Sequence, residues 1–594
     1  MHFSTVVVTK ACPVAKLPGC ATLRFSLLTL SDHRSDGGLS KADRLLAMLF
    51  LSIALVLRVL LAYHFRIDSD EPEPLHVVWA WTQGLLLYRD IFDNHMPVFQ
   101  ALSAPLFHLL GVRADIVLPM RLAMIPLFVG TIWCVWKISV SIFSPRIALW
   151  TALLAAFIPP FFLTSVEYRA DDLWTALWLT VLTVLVAGRA TVGRAFTAGL
   201  LLGLAFTVSM KTSLMALSLG LAWLGTVLAL WFAGCRIEAR RFILYAVAAL
   251  LGMITMPGIV VLFFVSHGVG PQMFYCVISH NILSRVADRS WLMKSATRWL
   301  ALLPIELFGV WLIWRWRETI ALRSRFTFIF MAGAFYYSTF LFLWPLREPQ
   351  TRLPFYPVMA IIVAPCLLWF ADPLLKRTRV FSFILPALIV AVEIALIDRA
   401  GSPFTNNTTD KIGLIANVLT LTDESDYVMD SKGETIYRRR PIYYMLDRIT
   451  KRRMHRHLIR DDIPDRLIET RTALIATTPR LPRRDVAFIT NNYLPIAFRL
   501  RALGKTVRSG DEKWESTRFD VVVPGRYTLV CASGKTAGLL DGTEFDGPRE
   551  LTAGSHTFRQ TAGAGRTVLI WARAIERGYS PFAEIEPDKM TQQD

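Results

Sequence analysis

Residues 68–76 read Asp68-Ser-Asp-Glu-Pro-Glu-Pro-Leu-His76, and the next polar cluster reads Phe92-Asp-Asn-His-Met-Pro97. Both follow an apolar run over residues 45–63. Carboxylates and histidines packed this densely are costly to place beside a bilayer, and where they occur they mark a candidate site. The reading depends on whether the preceding run crosses a membrane, which the rest of the chain decides.

The chain has 594 residues, 54% of them hydrophobic. The apolar residues come in runs of about 20, the length that crosses ~30 Å of hydrocarbon at ~1.5 Å per residue. Eleven spans are expected, at about 45–63, 119–143, 146–165, 171–188, 195–209, 213–233, 242–265, 299–316, 326–345, 354–371 and 379–397. The stretch Pro97–Gly111 is apolar but too short to cross, and reads as a helix lying at the interface. Residues 1–44 carry basic side chains and only short apolar runs, with no small-residue cleavage site after the first long run. They are expected to be a cytoplasmic segment outside the fold, with residues 45–400 as the membrane domain.

Loop charge sets the orientation. Alternate short loops hold Arg146; Arg189 and Arg194; Arg236, Arg240 and Arg241; Arg315, Arg317, Arg323 and Arg325; then Lys376, Arg377 and Arg379. These belong with the N-terminus in the cytoplasm. The opposite short loops hold only Arg169, Lys211, Arg347 and Arg352. An odd number of spans then places the tail outside the cytoplasm, in the periplasm of a Gram-negative cell. The same asymmetry accounts for the net charge of +18 without any nucleic-acid partner. The seven cysteines show no metal or disulfide spacing, and only Cys276 and Cys531 face an oxidising space.

This orientation gathers polar groups on the outer face. Asp70, Glu71, His76, Asp93 and His95 come from the first outer loop, and Glu167-Tyr-Arg-Ala-Asp-Asp172 from the second. Lys211, His280, Asn281 and the stretch Trp344–Arg352 come from later loops. A carboxylate beside fixed cations suits transfer of a group from a phosphate to a hydroxyl. The carboxylate takes the acceptor proton, and cations offset charge gained by the departing phosphate.

Asp70-Glu-Pro-Glu-Pro-Leu-His76, Tyr88-Arg-Asp-Ile-Phe-Asp-Asn-His-Met-Pro97 and Glu167-Tyr-Arg-Ala-Asp171 resemble the dolichyl-phosphate-mannose–protein mannosyltransferase superfamily. The nearer likeness is to its bacterial branch, which includes the aminoarabinose lipid A transferases. The resemblance covers roughly residues 45–400 and implies a GT-C fold and an inverting glycosyltransferase with a polyprenyl-phosphate sugar donor. It makes Asp70 the catalytic carboxylate, with adjacent Glu71 as the competing assignment, and Asp93 and Asp171 positioning or polarising groups. Lys211, Arg347 and Arg352 would grip the donor phosphate, and Arg169, His280 and Tyr356 would line the substrate site. Some relatives carry Glu-Lys-Pro where this chain has Asp93-Asn-His-Met-Pro97; His95 replaces that lysine only if protonated. A divalent cation on Asp70, Asp93 or Asp171 is compatible with the sequence, which does not require one, and no cluster has zinc spacing. Glu73 is read as solvating the loop only, and His76 as either packing or contacting substrate.

The acceptor would be a periplasmic or outer-leaflet lipid, glycan or protein. The competing class is a transporter or flippase of a lipid-linked glycan, which calls for ionisable groups at mid-membrane and internal repeats. Here the groups cluster at one face and no repeat is evident. In the tail, residues 401–510 alternate short apolar strands with amphipathic stretches and read as an α/β unit. Its basic triplets Arg438-Arg-Arg440 and Lys451-Arg-Arg453 read either as a solvated face or as contacts to anionic lipid or acceptor. Residues 511–594 hold short strands separated by Pro524-Gly525, Asp541-Gly542 and Ala553-Gly554, the spacing of a small β-sandwich.

Overall fold

The computed structural model describes residues 39–235, 238–282, 289–315, 320–344, 349–375, 381–477, 481–509, 516–563 and 565–584. Helices fall on every apolar stretch expected to span. Among the described residues, five are long and apolar enough to cross a bilayer: Lys41–His64, Val117–Val140, Thr212–Phe232, Ala239–Ser266 and Arg323–Leu343. Leu250, Leu251, Ile254, Val261 and Leu262 are exposed along Ala239–Ser266. So continuous an apolar face needs a lipid or protein covering.

The first helix begins at Ser40, whose hydroxyl accepts from the Asp43 amide while the Asp43 carboxylate accepts from the Ser40 amide. This reciprocal cap satisfies two orphan N–H groups. Asp43 is buried and also accepts from Trp150 Nε1 (3.0 Å) and Arg146 Nε (3.3 Å), tying the helix to the one starting at Pro145. Helices Val192–Val208 and Ala239–Ser266 approach closely because Gly199 and Gly203 face the second backbone. A Cβ at Gly199 would lie 1.9 Å from the Ala249 carbonyl oxygen, and one at Gly203 2.3 Å from that of Met253. Small residues four apart allow such contact between membrane helices.

Pro72 occupies the first turn of helix Pro72–Thr82, where its missing N–H costs nothing. That helix packs on Val98–Leu110, the stretch expected at the interface. The acidic loop therefore sits at the mouth of the bundle, between the end of the first helix and these two short ones.

The tail returns to the same mouth. Its larger sheet has eight strands among the described residues, six of them in the order Val428–Met429, Leu474–Ala476, Leu500–Arg508, Thr567–Trp571, Gly525–Cys531 and Arg549–Leu551. Leu500–Arg508 pairs with strands on both sides of residue 510, so one sheet runs through both parts of the tail. A second sheet orders Ser516–Val521, Gly554–Ala562, Ala537–Leu540 and Thr543–Glu544. Phe519, Leu540 and Phe558 from it share a core with Tyr527, Leu529 and Leu569 of the first. Cys276 and Cys531 are not joined: Cys276 Sγ lies 3.4 Å from Tyr443 Oη and Cys531 Sγ 3.2 Å from Ser533 Oγ.

Candidate active site

Asp70 is the centre of the polar cluster. Lys432 Nζ donates to its Oδ1 at 2.7 Å, and Arg169 Nη1 lies 3.3 Å from its Oδ2. Its side chain keeps 31% exposure, enough to meet a ligand. Arg169 precedes helix Ala170–Val186 and sits within 3.9 Å of four carboxylates: Asp68, Asp70, Glu167 and Asp171. Asp171 in turn accepts from Lys211 Nζ at 2.8 Å, and that ammonium lies 5.5 Å from the Trp174 ring centre. Asp70, Asp171, Arg169 and Lys211 thus converge as the sequence reading requires, from three separate segments.

Asp93 forms the second part. It is buried, and its Oδ1 accepts from the His95 amide and lies 2.9 Å from the ring Nδ1, while its Oδ2 accepts from Gln100 Nε2 at 2.9 Å. Desolvation opposes charge on His95, but the Asp93 hydrogen bond and nearby Glu73 raise it to about 9. The imidazole is therefore protonated at neutral pH, the condition for it to act as a cation. Glu73, Asp93 and His95 offer ligand atoms within 4.8 Å of one another, a set that suits a divalent cation. A bound ion would have to displace the His95 proton and compete with Lys432, which lies 3.0 Å from Glu73 Oε2.

Glu71 has a different place from Asp70. Its carboxylate is fully buried and holds Arg121 through two bonds, Nε to Oε2 at 2.7 Å and Nη2 to Oε1 at 2.6 Å. It also accepts from the amides of Asp68 (2.7 Å) and Tyr168 (2.9 Å). Arg121 further binds the carbonyls of Ala62, Phe65 and Arg66. With both oxygens occupied and no exposure, Glu71 joins the first helix to the two acidic loops instead of facing the site.

His280 also departs from expectation. It is buried against the tail, Nε2 3.2 Å from Thr450 Oγ1, with Phe92 edge-on at 4.8 Å and Tyr444 stacked at 6.0 Å. Burial, with Arg453 nearby, lowers it to about 4 despite Asp447. It packs one domain on the other. His76 likewise stacks on Trp79 and lies 2.7 Å from the Ile436 carbonyl oxygen, which resolves it as a packing group. Arg347 lies outside the described residues. Arg352 is exposed and makes no ion pair with the described carboxylates; Tyr356 is half-buried on the helix that follows. Their loop reaches the cluster through Gln350, whose Nε2 donates to Glu167 at 3.3 Å. Burial and the charges of Glu71 and Asp68 push Glu167 up to about 8, against Arg169 and Arg66.

Three contributors escaped the sequence reading. Lys432 arrives from 362 positions downstream, with no local signal. Arg121 sits in an apolar helix, where an unexplained cation was the available hint. Glu73 was read as loop solvation, although its i,i+3 spacing from Asp70 puts both near one turn. The basic triplets divide. Arg438 is buried on Thr422, Arg440 is paired with Asp430 at 3.0 Å, and Arg453 holds the carbonyls of Ser279, His280 and Ile282. These three arginines stabilise the tail and its docking, so they do not form a lipid-facing patch.

No family model matches the chain, and no curated protein does. Solved structures do. ArnT from Cupriavidus metallidurans in the apo state superposes with a TM-score of 0.54 at 14% identity, covering 78% of this chain and 98% of that one. The same protein bound to undecaprenyl phosphate gives 0.51 at 16% identity, covering 77% and 97%. The coverage extends beyond the 45–400 resemblance in the sequence, so part of the tail takes part in the match. The chain shares the fold of these ArnT structures.

Proposed function

We propose that this protein is an integral membrane inverting glycosyltransferase that moves a sugar from a polyprenyl-phosphate donor to an acceptor at the outer face of the inner membrane. The observation that carries the reading is the setting of Asp70: a partly exposed carboxylate at the mouth of an apolar bundle, flanked by Arg169 and Lys432, with Lys211 on neighbouring Asp171. Asp70 acts as general base on the acceptor hydroxyl. The freed electron pair attacks the anomeric carbon, and the C–O bond to the lipid phosphate breaks with inversion. The phosphate leaves with the additional negative charge. Arg169, Lys211 and protonated His95 offset that charge. Asp171 orients Lys211, and Asp93 keeps His95 protonated.

Eleven crossings, a cytoplasmic N-terminus and a periplasmic tail accompany this reading. The tail then forms the roof of the site, its two sheets read as a sandwich. The acceptor is a lipid, glycan or protein, and the likeness to an ArnT structure bound to undecaprenyl phosphate supports a lipid-linked donor. The convergence of Asp70, Asp171, Arg169, Lys211 and Lys432 at one end of the bundle supports the transferase over the transporter reading. The test is binding: purified protein should take up undecaprenyl phosphate at a single saturable site, and simultaneous replacement of Arg169 and Lys211 by Met should abolish that uptake. Saturable binding unaffected by the double replacement would remove this cluster from the donor site.

A further inference from the structure

Asp70 holds a cation on each oxygen, Lys432 on Oδ1 and Arg169 near Oδ2. Each cation held on a carboxylate lowers its affinity for a proton, so losing one of these contacts makes Asp70 a stronger base. Arg169 is the worse candidate to leave, since three further carboxylates lie within 3.9 Å of it. Lys211 is committed to Asp171 and does not touch Asp70. Lys432 has two described carboxylate partners, Asp70 and Glu73, and carries its charge on a flexible four-carbon stem.

The loop that carries it is built in advance. The Asp430 carboxylate accepts from the Gly433 amide (2.7 Å) and from the Thr435 amide and hydroxyl (2.9 and 2.7 Å). Glu434 accepts from the amides of Ser431 (3.0 Å) and Lys432 (2.8 Å). Gly433 lies against His76, and Tyr437 Oη bonds the backbone of Arg113 in both directions. The loop shape therefore rests on backbone and acidic side chains, and the Lys432 ammonium is its projecting element.

We propose that Lys432, carried by the tail, is a ligand of the donor phosphate, and that its transfer from Asp70 to the phosphate releases Asp70 to act as base. The proposal rests on the glycosyltransferase reading above and adds a coupling to it. An arriving phosphodiester anion competes with Asp70 for the ammonium, so the base is freed only when donor is present. Glu73 stays beside the lysine stem and limits how far the charge travels. The tail is then part of the catalytic site, and its docking on helix Pro72–Thr82 is required for donor binding.

The experiment measures the affinity of the purified full-length protein for undecaprenyl phosphate, the probe, in wild type and in Lys432→Met, Lys432→Arg and Glu73→Gln. Lys432→Met should weaken binding about tenfold or more, the effect of losing one charge-assisted hydrogen bond. Lys432→Arg should restore most of it. Glu73→Gln removes an anion that competes for the same ammonium and should tighten binding. That opposite sign is the readout a purely structural role does not give. Limited proteolysis of the tail verifies docking, and if Lys432→Met fails to dock, the signs for Lys432→Arg and Glu73→Gln still decide. Equal affinity in wild type and Lys432→Met overturns the role of Lys432 alone and leaves the glycosyltransferase reading standing. Weakening by Glu73→Gln as large as that by Lys432→Met makes the pair structural and overturns the coupling. A wild type that binds no undecaprenyl phosphate overturns both readings together.

Discussion

Replacing Gly433 by alanine should undock the tail from the membrane domain. Gly433 has φ +84°, a conformation alanine adopts at a cost of roughly 1–2 kcal/mol. The added Cβ would also lie 2.6 Å from His76 Cβ and 2.7 Å from its Cγ. His76 cannot yield easily, since its ring stacks on Trp79 and its Nδ1 lies 2.7 Å from the Ile436 carbonyl oxygen. Overpacking at such a site costs about 1–3 kcal/mol. The docked arrangement therefore loses about 2–5 kcal/mol in sum, which at ~1.4 kcal/mol per decade raises the undocked population roughly 30-fold or more. Trypsin reads that population when reclosing is fast relative to cleavage. The side chains of Arg438 and Arg440 are buried in the docked loop and become accessible on opening. Cleavage after Arg438 should accelerate by the same factor. Equal cleavage rates and equal thermal midpoints for Gly433→Ala and wild type would refute the reasoning, because they would mean that the loop does not rest on His76.

Glu71→Gln leaves Arg121 buried with its partner's charge gone, and breaking such a pair costs about 3–5 kcal/mol; yield and thermal midpoint should fall, while Asp70→Asn leaves both near wild type. His280 is lowered from 6.5 to about 4 by burial and Arg453, against Asp447, so the folded state favours the neutral ring. Its contribution to docking is complete above about pH 6.5 and is lost as pH falls toward about 4, and protease sensitivity of the tail should rise over that window and flatten in His280→Gln. A periplasm-active reporter fused after residue 400 should be active and one at residues 238–241 inactive; the reverse pattern would place the site on the wrong side of the membrane.

The apolar helices were legible because bilayer thickness fixes the length of an apolar run, which is a local property of sequence. The strand at Thr567–Trp571 was readable for the same reason: turn residues bound an unbroken apolar run. Asp70, Asp171, Arg169 and Lys211, which the structure brings together, stood out because each is a charge at a helix end, where charge is conspicuous. Glu71 and His280 were misplaced because adjacency in the chain says nothing about which way a side chain points; one carboxylate of the Asp70–Glu71 pair turns outward and its neighbour inward to Arg121. Lys432 could not be read at all. Its relation to Asp70 is created by the tail folding back across 362 positions, and nothing within its own stretch records that. The unity of the tail sheet was hidden likewise, because Leu500–Arg508 acquires its second partner from beyond residue 560.

The central claim is that Asp70 is the base of a sugar transfer. Asparagine keeps its size and its ability to accept hydrogen bonds and removes its basicity, and loss of a general base typically lowers rate ~10²–10⁴-fold. The direct measurement is mass spectrometry of envelope lipids, glycans and glycoproteins from a deletion strain of the native host, complemented with wild type or with Asp70→Asn at equal abundance in the membrane. A sugar-bearing species restored by wild type and absent with Asp70→Asn is the expected result. Full restoration by Asp70→Asn would contradict the account and return the acidic loop to a structural role.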